Sequence, residues 1–121
     1  MSKVDVLGTT ERIDEKIHQL EQARSMIRKA AQRKADAIGA YRKEVAKTIM
    51  RLRQGETFTI DGVEFSETSA SNMAKVAEGI CYLEKIEEDL ADSLYKNVVK
   101  GMDALKAELN GLQTKLRYIA D

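Results

Sequence analysis

The sequence predicts an all-α protein: an antiparallel helical hairpin with a small β-hairpin at its tip, assembling into an oligomeric helical bundle. Three observations carry this expectation. The 121 residues include no proline, 33% are charged and only 5% are aromatic, a composition suited to long helices and not to a sandwich or barrel. Apolar residues recur at spacings of three and four along two long stretches, as they do on a helix that buries one stripe. Between the stretches the period falls briefly to two, the period of a strand. The length fits a single domain, 1–121.

The first helix is expected over residues 10–53. Two interleaved seven-residue series define its buried stripe: Ile13, Leu20, Ile27, Lys34, Tyr41 and Thr48, and Ile17, Arg24, Ala31, Ile38, Val45 and Leu52. A stripe sustained this far argues for coiled-coil packing. Thr9 or Thr10 can cap the start, Glu11, Asp14 and Glu15 suit the positive end of the helix dipole, and Gly55 follows Arg51 and Arg53 as a stop.

Residues 57–65 read as a two-residue β-hairpin. Asp61-Gly62 readily supplies the positive φ values of a type I′ turn. Pairing Ile60 with Val63 and Phe58 with Phe65 places four apolar side chains on one face. Because an isolated hairpin is marginal in water, that face is expected to lie on the flanking helices or on a second subunit.

A second helix is expected over residues 70–119, after a Ser/Thr/Asn-rich joint with several N-caps. Its stripe runs from Met73, Val76 and Ile80 through Leu83, Ile86, Leu90 and Leu94 to Leu116 and Ile119. Steps of four between Ile86 and Met102 slip a strict heptad. Gly101 lies in that stretch, so either one bent helix or a break near 101 fits.

Zero net charge conceals a division along the chain. Residues 24–53 hold ten basic and two acidic side chains, or +8, and residues 56–92 hold ten acidic and two basic ones, or −8. The blocks would face each other across the folded hairpin, and mutual pairing of the arms is the plain explanation. The sharper one is that the basic face binds phosphates. On that reading Arg24, Arg28, Lys34, Arg42 and Lys43 would meet phosphate oxygens while Tyr41 stacks on a base. Arg24 and Lys34 also interrupt the stripe, where a charge fixes register or opens a polar cavity at a subunit junction. Tyr82 and Tyr95 sit where they could reach such a cavity. His18 is expected on a helix flank and Cys81 in an apolar environment.

Much is excluded by what the chain lacks. One Cys and one His provide no disulfide framework, no Cys/His metal set and no nucleophile–base pair. No phosphate-binding glycine loop follows a strand. No cofactor is therefore expected, and the chain reads as non-enzymatic. No apolar run approaches the length of a membrane span, and the first ten residues do not have the pattern of a signal peptide, so a cytoplasmic location is expected.

The chain from Ile38 onward resembles small uncharacterised proteins of phages and prophages of Gram-positive bacteria. The resemblance rests on Tyr41, Ala46-Lys47-Thr48-Ile49-Met50-Arg51-Leu52, the hairpin Phe58 to Val63, Ala77-Glu78-Gly79-Ile80-Cys81 and Ala104-Leu105-Lys106-Ala107-Glu108-Leu109-Asn110-Gly111. It implies the cytoplasm of an infected bacterium and assigns no activity. Three functions fit that setting: counter-defence by sequestering a host immune nucleotide or immune protein, an accessory to phage recombination or replication that binds single-stranded DNA, or a structural coiled-coil adaptor. Sequestration by a homo-oligomer ranks first, because a net-neutral chain with few aromatics does not suit a single-strand binder.

Overall fold

The computed structural model describes residues 3–66 and 69–120 and is all-α with one small β-hairpin. Helix α1 spans Lys3–Arg53, strands β1 and β2 span Phe58–Ile60 and Val63–Phe65, and helices α2 and α3 span Ala70–Ile80 and Tyr82–Ala120. The chain divides into two compact units, Met1–Ala31 with Leu94–Asp121, and Gln32–Ser93.

In the first unit, a segment of α1 runs antiparallel to a segment of α3. Lys16 pairs with Glu108, while Arg24, Ile27 and Arg28 further along α1 share a groove with Met102, earlier on α3. The helix starts at Lys3 and not at residue 10. Thr9 and Thr10 are therefore interior residues and not caps: Thr9 is buried, and the Thr10 hydroxyl donates to the Val6 carbonyl at 2.8 Å. That back-bond satisfies the hydroxyl inside a helix, and no cap is needed there because the helix runs on through these residues.

The buried stripe also differs from the expected one. Ile13, Leu20, Ala23 and Ala30 are buried, whereas Ile17, Arg24 and Ala31 are exposed. Small side chains at Ala23 and Ala30 let a neighbouring backbone approach closely, and the adjacent Arg24 then keeps its guanidinium in water. Arg24 is thus no interruption of the packed face.

The second unit holds the principal side-chain core. Leu52, Met73 and Ala77 form it, with Val45, Ile49, Phe58, Val76 and Ile80 packed around them. Helix α1 ends here as its sequence predicts. Gly55 has φ +83°, its N–H donates to the Leu52 carbonyl, and the Glu56 N–H donates to the Arg51 carbonyl. These two bonds close the helix with a Schellman motif, which requires the left-handed backbone glycine readily adopts.

The hairpin register is Phe58 with Phe65, Thr59 with Glu64 and Ile60 with Val63. Asp61 and Gly62 both have positive φ, 50° and 79°, as a type I′ turn demands. Only β1 is partly covered: Phe58 joins the core cluster, while Val63 and Phe65 on β2 remain exposed. The Arg51 guanidinium lies 4.5 Å from the centre of the Phe58 ring and also bonds Glu56 at 2.8 Å. One strand of the pair is thus anchored to the helix end.

Helix α2 begins after Ser69, whose extended backbone marks the N-cap. Part of the expected Ser/Thr/Asn-rich joint, residues 67 and 68, lies outside the described residues. The second arm is broken not at Gly101, where α3 runs uninterrupted, but at Cys81, whose ψ of 31° departs from helical values. Glycine in a helix interior costs only about 1 kcal/mol, too little to break α3 at Gly101. At Cys81 the side chain is buried, and its sulfur meets the Thr48 hydroxyl at 3.4 Å.

Beyond that point the apolar series leaves the packed face. Met73, Val76 and Ile80 pack, but Leu83, Ile86 and Leu90 are 60%, 48% and 55% exposed. Cys81 at the break is buried, and the side of α3 that is covered within this unit carries Glu84, Glu88, Ala91 and Asp92 instead. Facing it on α1 are Lys34, Ala37, Tyr41 and Thr48, all buried or half-buried.

Candidate functional site

Six residues were expected to hold a phosphate-bearing ligand, and they divide between the two units. Arg24 and Arg28 belong to the first, and Lys34, Tyr41, Arg42 and Lys43 to the second. They differ in what their side chains are already doing.

Arg24 and Arg28 stand one turn apart on α1, so they share a face with Ile27 between them. With Met102 of α3 these residues line an open groove of about 410 Å³. Both arginines are exposed. The groove thus offers two guanidinium groups at its rim and, in its wall, a stiff β-branched side chain at Ile27 and a flexible thioether at Met102. A guanidinium can give two parallel N–H donors to one phosphate, and a thioether adapts to the face of a ring.

Lys34 is engaged within the fold. Its ammonium group meets the Asp92 carboxylate at 2.9 Å, with both side chains about one-third exposed. Arg33 and Glu87 make a second, looser pair at 4.0 Å. In this unit the basic and acidic blocks do face each other, as expected.

Tyr41 is half-buried, with the Lys85 ammonium 5.4 Å from its ring centre. Partial burial pushes the Tyr41 hydroxyl above its ordinary pKa, and Glu78 adds to the rise. A cation over one face leaves less of the ring for a base to stack on. Lys85 is itself held in the charged form by Glu88 at 3.4 Å and by Asp89, which raise its pKa. Arg42 and Lys43 are exposed on α1.

Tyr82 is exposed and Tyr95 half-buried. His18 lies on an exposed flank, 3.4 Å from Gln22. Burial raises the Cys81 thiol pKa, so the thiolate is disfavoured at neutral pH. Among the described residues no group of three His, Cys, Asp or Glu side chains is placed to hold a metal ion. No described helix is long and apolar enough to cross a membrane.

Two features lie outside what spacing alone shows. Ile27 and Met102, both on the expected buried stripe, give the arginine groove its apolar wall. Leu83, Ile86 and Leu90 were placed in the same stripe and are instead exposed. Steps of four drift around a helix instead of holding one face, and after Ile86 they carry the series from exposed Leu90 to half-buried Val98 and Met102. The chain matches no family model, no curated protein and no solved structure.

Proposed function

We propose that the chain is a non-enzymatic binding protein that sequesters a small phosphate-bearing ligand, with Arg24 and Arg28 as the phosphate-holding residues. The observation that carries this reading is the groove itself: two free-standing arginine rims over the apolar wall of Ile27 and Met102. A nucleotide has the matching division, charged at the phosphate and weakly polar at the base. In the phage setting implied by the resemblance, a cyclic nucleotide or ADP-ribose-type immune signal would be such a ligand. Lys34 and Tyr41 drop from the ligand set, because Asp92 and Lys85 occupy them.

The test is calorimetry against cyclic mono-, di- and trinucleotides and ADP-ribose derivatives. One member should bind in the micromolar range or tighter, and Arg24→Glu or Arg28→Glu should abolish the signal while the circular dichroism spectrum stays unchanged. If no nucleotide binds, and single-stranded oligonucleotides are shifted with a steep salt dependence, the DNA-accessory reading replaces this one.

A further inference from the structure

In a helical pair of this kind the apolar side chains belong between the helices and the charged ones outside. The second unit partly inverts that arrangement. Glu84, Glu88 and Asp92 are only partly exposed, while Leu83 and Leu90 on α3 are more than half exposed. Beside Leu83 runs a shallow groove of about 220 Å³ between α1 and α3, lined by Ala37, Ala40, Leu83, Glu84 and Glu87. Its floor on α1 is two alanines, and its α3 wall carries the leucine. Large knobs and a small-residue recess thus lie side by side on one face.

Charge selects what can sit there. In this unit the α1 segment carries seven basic and two acidic residues, net +5, and α3 from Tyr82 to Ser93 carries five acidic and one basic, net −4. At the mouth of the groove Arg33 and Glu87 span the two helices at 4.0 Å, with side chains 59% and 64% exposed. The mouth of the groove therefore has a basic edge at Arg33 and an acidic edge at Glu87. A surface divided in this way is complementary to itself when turned about a two-fold axis parallel to the helices.

We propose that a second copy of this chain occupies the face. The two-fold axis lays α3 of each copy on α1 of the other, so that Leu83 enters the partner's Ala37–Ala40 recess and Leu90, two turns further along α3, packs on the partner's α1 beside it. Arg33 of each copy then meets Glu87 of the other. The result is a four-helix arrangement in which both crossings are identical and the contact closes at two copies. Turning the copies the other way would set α1 on α1 and α3 on α3, with like charges opposed, which disfavours that register. This inference is independent of nucleotide binding, which concerns the first unit.

The experiment is sedimentation of the purified chain with three sets of variants. Wild type should sediment as a dimer at micromolar concentration, and Leu83→Glu/Leu90→Glu as a monomer with unchanged helix content. Glu87→Arg alone and Arg33→Glu alone should each weaken the dimer at least tenfold. An equimolar mixture of these two variants should recover a heterodimer at near wild-type strength, because each crossing then again joins opposite charges. A monomeric wild type, or a dimer indifferent to Leu83→Glu/Leu90→Glu, overturns the proposal. A dimer left as strong or strengthened by both Glu87→Arg and Arg33→Glu would set α1 on α1 and α3 on α3, where each reversal relieves like-charge repulsion, and overturn the crossed arrangement.

Discussion

The two units use the same secondary structure and differ in how they hold it. In the first, the covered face of α1 is supplied by Ile13, Leu20, Ala23 and Ala30, and α3 contributes half-buried Val98, Val99, Met102, Leu105 and Leu109. In the second, a compact core of Leu52, Met73 and Ala77 gathers at the hairpin end, Thr48 meets Cys81 at the break between α2 and α3, and the α1–α3 contact beyond it includes Lys34–Asp92 and Tyr41 with Lys85 beside the buried Ala91. Apolar contacts are non-directional and scale with area, whereas exposed ion pairs contribute little stability but penalise wrong pairings. The comparison teaches that a helical pair can be stabilised by one set of residues and aligned by another.

The contrast is broken most sharply at the core. Leu52, 2% exposed, should cost about 3 kcal/mol when replaced by Ala, through lost transfer energy and the cavity left behind. Chemical denaturation measures this; a loss below about 1 kcal/mol would deny the second unit its concentrated core. Leu20→Ala in the first unit should cost less, about 2 kcal/mol, because burial there is spread along a stripe. Equal losses at the two positions would erase the distinction.

Smaller effects sharpen it. Gly62→Ala should destabilise by about 1 kcal/mol, since its φ of +79° is unfavourable for a residue with a Cβ. Thermal melts give the comparison, and an unchanged midpoint would imply that the hairpin is not coupled to the core. Lys34→Ala should cost no more than about 1 kcal/mol, and the difference from wild type should shrink in high salt. A large, salt-independent loss would make the pair a structural element of the core and not an alignment device.

The smallest effect concerns pH. Partial burial raises the Tyr41 pKa above its ordinary 10.0. Folding therefore favours the neutral phenol, and its contribution is present below pH 10 and fades as pH rises through the folded value. Lys85, also raised, fades at higher pH still, from its ordinary 10.5. Melting temperature followed from about pH 9 to pH 11 should fall less steeply for Tyr41→Phe than for wild type. Parallel curves would remove Tyr41 from the contact.

Local signals in the sequence were decisive where one or two residues control the backbone. Gly55 stopped α1, Asp61-Gly62 set the hairpin turn and its register, and the absence of proline left both arms free to be helical. The facing of the basic and acidic blocks was also legible in the second unit, since charge order along the chain carries over when two arms fold back. Of the candidate ligand residues, Arg24 and Arg28 line a groove, but the sequence could not reveal that Asp92 had taken Lys34 or that Lys85 lay over Tyr41.

The tertiary structure alone decided which of several adjacent small or apolar residues turn inward. Ala23 over Arg24, Ala30 over Ala31, and Ala91 over Leu90 were open choices on a helix whose apolar positions drift around its axis. Periodicity fixes an angular sector roughly one-third of a turn wide, and neighbours one residue apart fall at its edges. Only the partner helix, through the closeness it needs at each level, selects between them. The same selection left Leu83, Ile86 and Leu90 outside, a property that belongs to the packing and not to any single residue's chemistry.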